Sequence, residues 1–169
     1  MNRILILLAS LILVGPVYAA GFNVDGFQQG MSLEDVQKVA KSRGSYLKRE
    51  DSTGGYEVSY GERTYRINFC EPEGGVIRIA YIFGDYGDEK TRLMTFIRMT
   101  KQLADNHNID IANANVSNQI GYDSKENASI DLSLAGDPDW SLTLTLFISE
   151  EWGVHNSQAT FESSTDKCP

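Results

Sequence analysis

The chain has 169 residues, with 15 Lys and Arg against 23 Asp and Glu and a formal charge of −8, which is the size of one domain. Its 41% hydrophobic and 22% charged residues are ordinary for a globular protein. No Lys/Arg cluster exceeds a dipeptide, so the positive patch that nucleic acid or anionic lipid requires is missing, and sequence-independent binding of either is excluded.

Residues 1–19 have the grammar of an export signal. Arg3 supplies one positive charge, an apolar run extends from Ile4 to Val14, and Gly15-Pro16 leads to small residues and a cleavage site after Ala19 or Ala20. The run is shorter than the roughly 20 apolar residues that a spanning helix needs. Removing residues 1–19 leaves a single mature domain, 20–169, with no stable membrane anchor, exported to the periplasm or secreted. Two cysteines remain, Cys70 and Cys168. In an oxidising compartment an even pair reads as one disulfide, pinning the C-terminal tail to the sheet; two unpaired thiols are the alternative.

Ser32-Leu33-Glu34-Asp35-Val36 predicts a helix start, with Ser32 as N-cap, Asp35 in the capping-box position and Met31 stapled onto Val36. Leu33, Val36, Val39 and Ala40 share one stripe, and Gly44 supplies the left-handed stop. From Ser45 to Gly84 the period falls to two. Tyr56, Val58 and Tyr60, then Tyr65, Ile67 and Phe69, then Ile77, Ile79, Tyr81 and Phe83 predict antiparallel strands, with a hairpin turn at Gly61-Glu62 and a longer one at residues 71–75.

A second helix is predicted from about Asp88 to Asn106, with Leu93, Phe96, Ile97, Thr100, Leu103 and Ala104 facing the core and Arg92, Arg98 and Lys101 facing water. Residues 113–127 read as a long connection around a weak strand. Two strands follow, carrying Ile130, Leu132 and Leu134, then Leu142, Leu144, Leu146 and Ile148; Ala159 and Phe161 mark a last edge strand. No internal repeat is visible. The pattern predicts an α+β fold, an antiparallel sheet of about five to seven strands with two helices packed on one face.

Catalytic motifs are sparse. His107 and His155 are the only histidines; the first reads as a polar helix-end residue and the second as part of a turn, and no Gly-x-Ser-x-Gly elbow accompanies them. The two histidines and two cysteines have no metal-ligand spacing. The acidic stretches Asp85 to Glu89 and Asp137 to Asp139 read as a helix cap and a turn rather than as calcium loops. No motif calls for a cofactor. Nothing singles out two of the 23 acids as a glycosidase pair, so a small exported carboxylate-dependent hydrolase is the alternative and an enzyme the minority reading.

The remaining candidate is a surface. If the apolar sheet face takes the helices, the other carries Thr64, Arg66 and Asn68, then Ser129, Asp131 and Ser133, then Ser141, Thr143 and Thr145. A solvated face is the simple interpretation. With Trp140, Phe147 and Trp152 as aromatic neighbours, the face is also a candidate for binding a protein partner, because tryptophan is favoured at interface hot spots.

The segment from Gly26 through Gly30-Met31-Ser32 to Val36, closing at Gly44 and followed by Tyr-rich strands up to Phe83, resembles envelope modules of the BamE/SmpA type and the helix-and-sheet domain of β-lactamase-inhibitor-type proteins. The resemblance covers residues 26–84. It implies a helix packed on an antiparallel sheet, and roles in assembly support or protein inhibition. A lipidated cysteine at the cleavage site, expected of BamE-type proteins, is replaced by Ala19-Ala20-Gly21. The resemblance transfers fold-determining residues only, Gly30, Met31, Ser32 and Val36.

Overall fold

A computed structural model describes residues 21–50, 54–70, 74–84, 86–120, 127–135, 139–149 and 153–164. The leader, Trp152 and Cys168 lie outside the described residues. The fold is α+β, with two α-helices and two antiparallel sheets among the described residues.

A two-stranded hairpin, β1 (Asn23–Val24) and β2 (Phe27–Gln28), opens the structure. Asp25 and Gly26 form its turn at φ 49° and 82°, the left-handed pair that a two-residue hairpin loop requires. Helix α1 (Leu33–Ser42) follows. Ser32 Oγ accepts from Asp35 N at 3.2 Å and donates to Asp35 Oδ2 at 2.8 Å, so the expected cap forms. Gly44, at φ 72°, carries the chain out of the helix while Gly44 N and Ser45 N bond back to Lys41 O and Ala40 O.

The next four strands make a meander: β3 (Leu47–Arg49), β4 (Tyr56–Tyr60), β5 (Arg63–Phe69) and β6 (Val76–Phe83). Helix α2 (Glu89–Asn106), capped by Asp88, and a single 3-10 turn at Ile111–Asn113 lead into a second meander. Its strands are β7 (Asn115–Ile120), β8 (Asn127–Ala135), β9 (Trp140–Ser149) and β10 (Gly153–Ser163).

The order in the main sheet is β3-β4-β5-β6-β10-β9-β8-β7. Each half of the chain is thus a helix followed by a four-stranded meander, and the last strands of the two halves, β6 and β10, pair antiparallel at the centre. The repeat is topological and has no counterpart in residue identity. The main sheet has eight strands, more than the five to seven expected. The C-terminal segment is an eleven-residue central strand rather than an edge strand.

Strand register divides the side chains between two faces. Val58, Tyr65, Tyr81, Ala159, Leu144 and Leu132 form one row across the sheet, and Ile67, Ile79, Phe161, Leu142 and Leu134 another. These rows share one core with Val36 and Ala40 of α1, Leu103 and Ala104 of α2, and Phe22, Val24 and Phe27 of the N-terminal segment. Both helices therefore pack on the same face. The core-facing stripe of α2 is partly as expected: Thr100, Leu103 and Ala104 are buried and Phe96 packs against the core, joined by buried Thr95, whereas Leu93 and Ile97 are exposed. Arg92, expected to face water, is half-buried and donates to Val154 O at 3.0 Å, and this bond fixes the rotation of the helix above β10.

Candidate functional site

The opposite face of the main sheet carries the other half of each strand. One row runs Glu57, Arg66, Ala80, Thr160, Thr143, Ser133, and the next Ser59, Thr64, Ile82, Gln158, Thr145, Asp131. Neither described helix lies on this face, yet Thr160 is only 5% exposed and Ala80 and Thr145 are similarly buried. Strand twist brings longer neighbouring side chains over these small central residues; Gln158 Nε2, for example, donates to Thr160 Oγ1 at 2.9 Å. Ser133 and Thr143 share a looser hydroxyl contact of 3.4 Å.

A depression of about 270 Å³ opens here, lined by Arg66, Ile82, Phe147, His155, Asn156 and Gln158 and by Ala128, Ile148 and Ser149 of β8 and β9. It arises where β10 carries a bulge between Val154 and Asn156, an irregularity that re-aims side chains locally. Ile82 and Phe147 contribute apolar lining; Arg66, Asn156 and Gln158 contribute polar lining. Such a mixture suits contact with a protein side chain, because an aromatic anchor supplies buried area and the rim supplies directional hydrogen bonds. Arg66 Nε lies 3.9 Å from Glu50 Oε2, a loose pair that leaves its guanidinium partly in solvent.

The three aromatic candidates separate. Phe147 lines the depression on the open face. Trp140 does not reach this face: it is 4% exposed, packed at 6.0 Å and 29° on Phe161 and edge-on to Phe22 and His107, so its burial is structural. Trp152 is outside the described residues. His107 is the C-cap of α2, as expected, and its ring packs on Trp140 and Phe161, so burial lowers its pKa. His155 is not in a turn. It stands at the bulge in β10 and lines the depression, and alternation alone could not have placed it there because the bulge shifts the register.

A second polar cluster joins the N-terminal hairpin to the sheet. Asp25 Oδ2 accepts from Tyr65 OH at 2.6 Å and from Arg63 Nη1 at 2.8 Å. Tyr65 stacks on Tyr60 at 5.2 Å and 10°, and Arg43 of the α1 C-terminus donates to Tyr60 OH and lies over the Tyr60 ring. Burial raises the pKa of Tyr65, and Tyr81 beside it is pushed up to about 12 by the same cause. Tyrosine hydroxyls around one carboxylate and two guanidinium groups make a structural clamp.

Among the described residues there is no group of three or more His, Cys, Asp or Glu that could hold a metal ion, and no Asp or Glu is buried. No described helix is long and apolar enough to cross a membrane. Cys70 is buried at the end of β5, and no free cysteine occurs among the described residues. No protein family, curated protein or solved structure matches this chain.

Proposed function

We propose that the protein is an exported, periplasmic or secreted, protein-binding module that receives its partner on the open face of the main sheet, as an inhibitor, immunity or envelope-assembly accessory factor. The observation that carries this reading is the depression lined in part by Ile82 and Phe147 on a Ser/Thr-rich sheet face that neither described helix covers. Short hydroxyl side chains adapt their hydrogen bonds to a partner at little entropic cost, while Phe147 provides an anchor. The leader in residues 1–19 and the resemblance of residues 26–84 to envelope modules support the compartment and the kind of role. The carboxylate-dependent hydrolase ranks second, since a general acid must hold its proton near neutral pH and is usually buried to do so.

In that compartment we also propose that Cys70 and Cys168 are joined. Glu162 of β10 pairs with Arg78 of β6, which pairs with Asn68 of β5, so the end of β10 and Cys70 lie at the same end of the sheet, two strand spacings of ~4.8 Å apart. The residues between Ser163 and Cys168, at ~3.4 Å each, reach that far.

The test of the binding reading places a photo-crosslinking residue at position 147 on the open face, or at position 98 on α2, in the native host. The reading expects one reproducible protein adduct from position 147 and none from position 98. The same adduct from both positions, or from 98 alone, rejects the open face as the contact.

A further inference from the structure

The two edges of the main sheet differ in a way that bears on self-association. One edge, β3, has three residues, and two of them are Lys48 and Arg49. Short, charged edges are a common guard against unwanted strand pairing. The other edge, β7, is Asn115-Val-Ser-Asn-Gln-Ile120, paired with β8 without interruption through six residues. It carries no charge and no proline, and no described strand pairs with its outer side. Next to it, on the helix-bearing face, the apolar surface continues uncovered: Val116 is 70% exposed and Ile130 is 38% exposed, with exposed Ile111 on the 3-10 turn that touches β8.

We propose that β7 pairs antiparallel with β7 of a second copy of this chain, about a two-fold axis through Asn118. An isologous contact requires a self-complementary strand, and this register supplies one. Asn118 falls opposite Asn118 of the second copy, Val116 opposite Ile120, and Ser117 opposite Gln119. By residue type the register sets apolar positions opposite apolar ones and uncharged polar positions opposite uncharged polar ones, so like charges are absent. The last point matters for a chain with a net charge of −8, because copies repel one another wherever the contact itself is acidic. Pairing about this axis keeps both helix layers on one side and extends the open polar face into a doubled surface. The apolar surface at Val116 and Ile130 then continues across the axis instead of ending in water. This inference is independent of what binds the open face.

Sedimentation velocity of the purified protein tests it, with Asn118→Lys and Asn118→Asp as variants. Asn118 is exposed, so neither change disturbs the core. The wild type is expected to sediment as a dimer that strengthens with salt. Each variant alone places two like charges at the axis and should weaken association by about tenfold or more, while an equimolar mixture of the two should recover it. A wild type that remains monomeric, as expected if a strand of another protein occupies this edge, overturns the proposal. So does a dimer that neither variant weakens, or a mixture that fails to recover.

Discussion

Tyr65 donates its hydroxyl proton to Asp25 Oδ2 at 2.6 Å, and this contact ties the turn of the N-terminal hairpin to a central position of β5. Asp25 sits at φ 49°, a conformation that costs an aspartate little and most other residues more. Its carboxylate is thereby aimed at Tyr65 and Arg63. The hairpin in turn carries Phe27, which packs at 5.6 Å on the Tyr65 ring, so one hydrogen bond and one ring contact close the same corner of the core.

Tyr65→Phe keeps the ring and removes the bond. Hydrogen bonds to charged groups contribute about 1.5 to 3 kcal/mol, and because Asp25 is partly exposed the loss should be near the lower end, about 1.5 kcal/mol, read from urea denaturation. The clamp also sets an alkaline limit. Burial raises the folded-state pKa of Tyr65 and Tyr81, so their contribution is complete below the unfolded tyrosine value near 10. It is lost as pH rises above that value, because the unfolded chain then releases protons that the folded chain retains. Stability should fall from about pH 10 upward, and less steeply in Tyr65→Phe.

His107 sets the opposite limit. Burial against Trp140 and Phe161 lowers its pKa, so the folded state favours neutral imidazole. Its contribution is complete above the unfolded value near 6.5 and declines as pH falls from there toward the depressed folded value, since the unfolded chain binds the proton more readily. Denaturation midpoints measured between pH 7.5 and 5 should decline in the wild type and flatten in His107→Leu.

Gly75 is required by close backbone approach. A Cβ there would lie 2.3 Å from Gly30 O, at the point where Gly30 N donates to Val76 O and Val76 N donates to Met31 O. These bonds dock the turn before α1 onto β6. Gly75→Ala must displace backbone rather than a flexible side chain, so a loss of about 3 kcal/mol or more is expected. Gly30→Ala meets no neighbouring atom and should cost less, through its φ of 81° alone.

The proposed Cys70–Cys168 bridge closes a loop of about 100 residues and on chain-entropy grounds contributes up to about 4.7 kcal/mol. Intact mass after alkylation should show two added groups only when reductant precedes alkylation, and Cys168→Ser should lower the midpoint of denaturation. Equal alkylation with and without reductant would refute the bridge.

Much of the fold was legible because local chemistry and global packing agree. Ser32, Asp35 and Gly44 cap α1 as their residue types require, and the alternation in residues 56–69 gives β4 and β5. Strand β10 was legible at Ala159 and Phe161, but its length and central place were not, because its other buried residues include Ser157 and Thr160, polar side chains that give no hydrophobic period. The core face of α2 was read correctly at Phe96, Thr100, Leu103 and Ala104 but not at Leu93 and Ile97, because Arg92 is held by Val154 O, a partner that is distant in sequence. At the candidate site, Phe147 was visible as an aromatic that follows Thr143 and Thr145 on the polar face of β9. Arg66 and Ile82 come from the other half of the chain and meet it only through the central β6–β10 pairing, and Trp140 was drawn inward by the aromatic cluster around Phe161.

The most direct measurement compares Phe147→Ala with Trp140→Ala for stability and for retention of the partner captured from position 147. Phe147→Ala should change stability by no more than about 1 kcal/mol and weaken partner retention at least about tenfold, as loss of a hot-spot aromatic does. Trp140→Ala should cost about 3 to 5 kcal/mol and lose partner only in proportion to unfolding. If Phe147→Ala retains its partner as the wild type does, the open sheet face is not the binding surface.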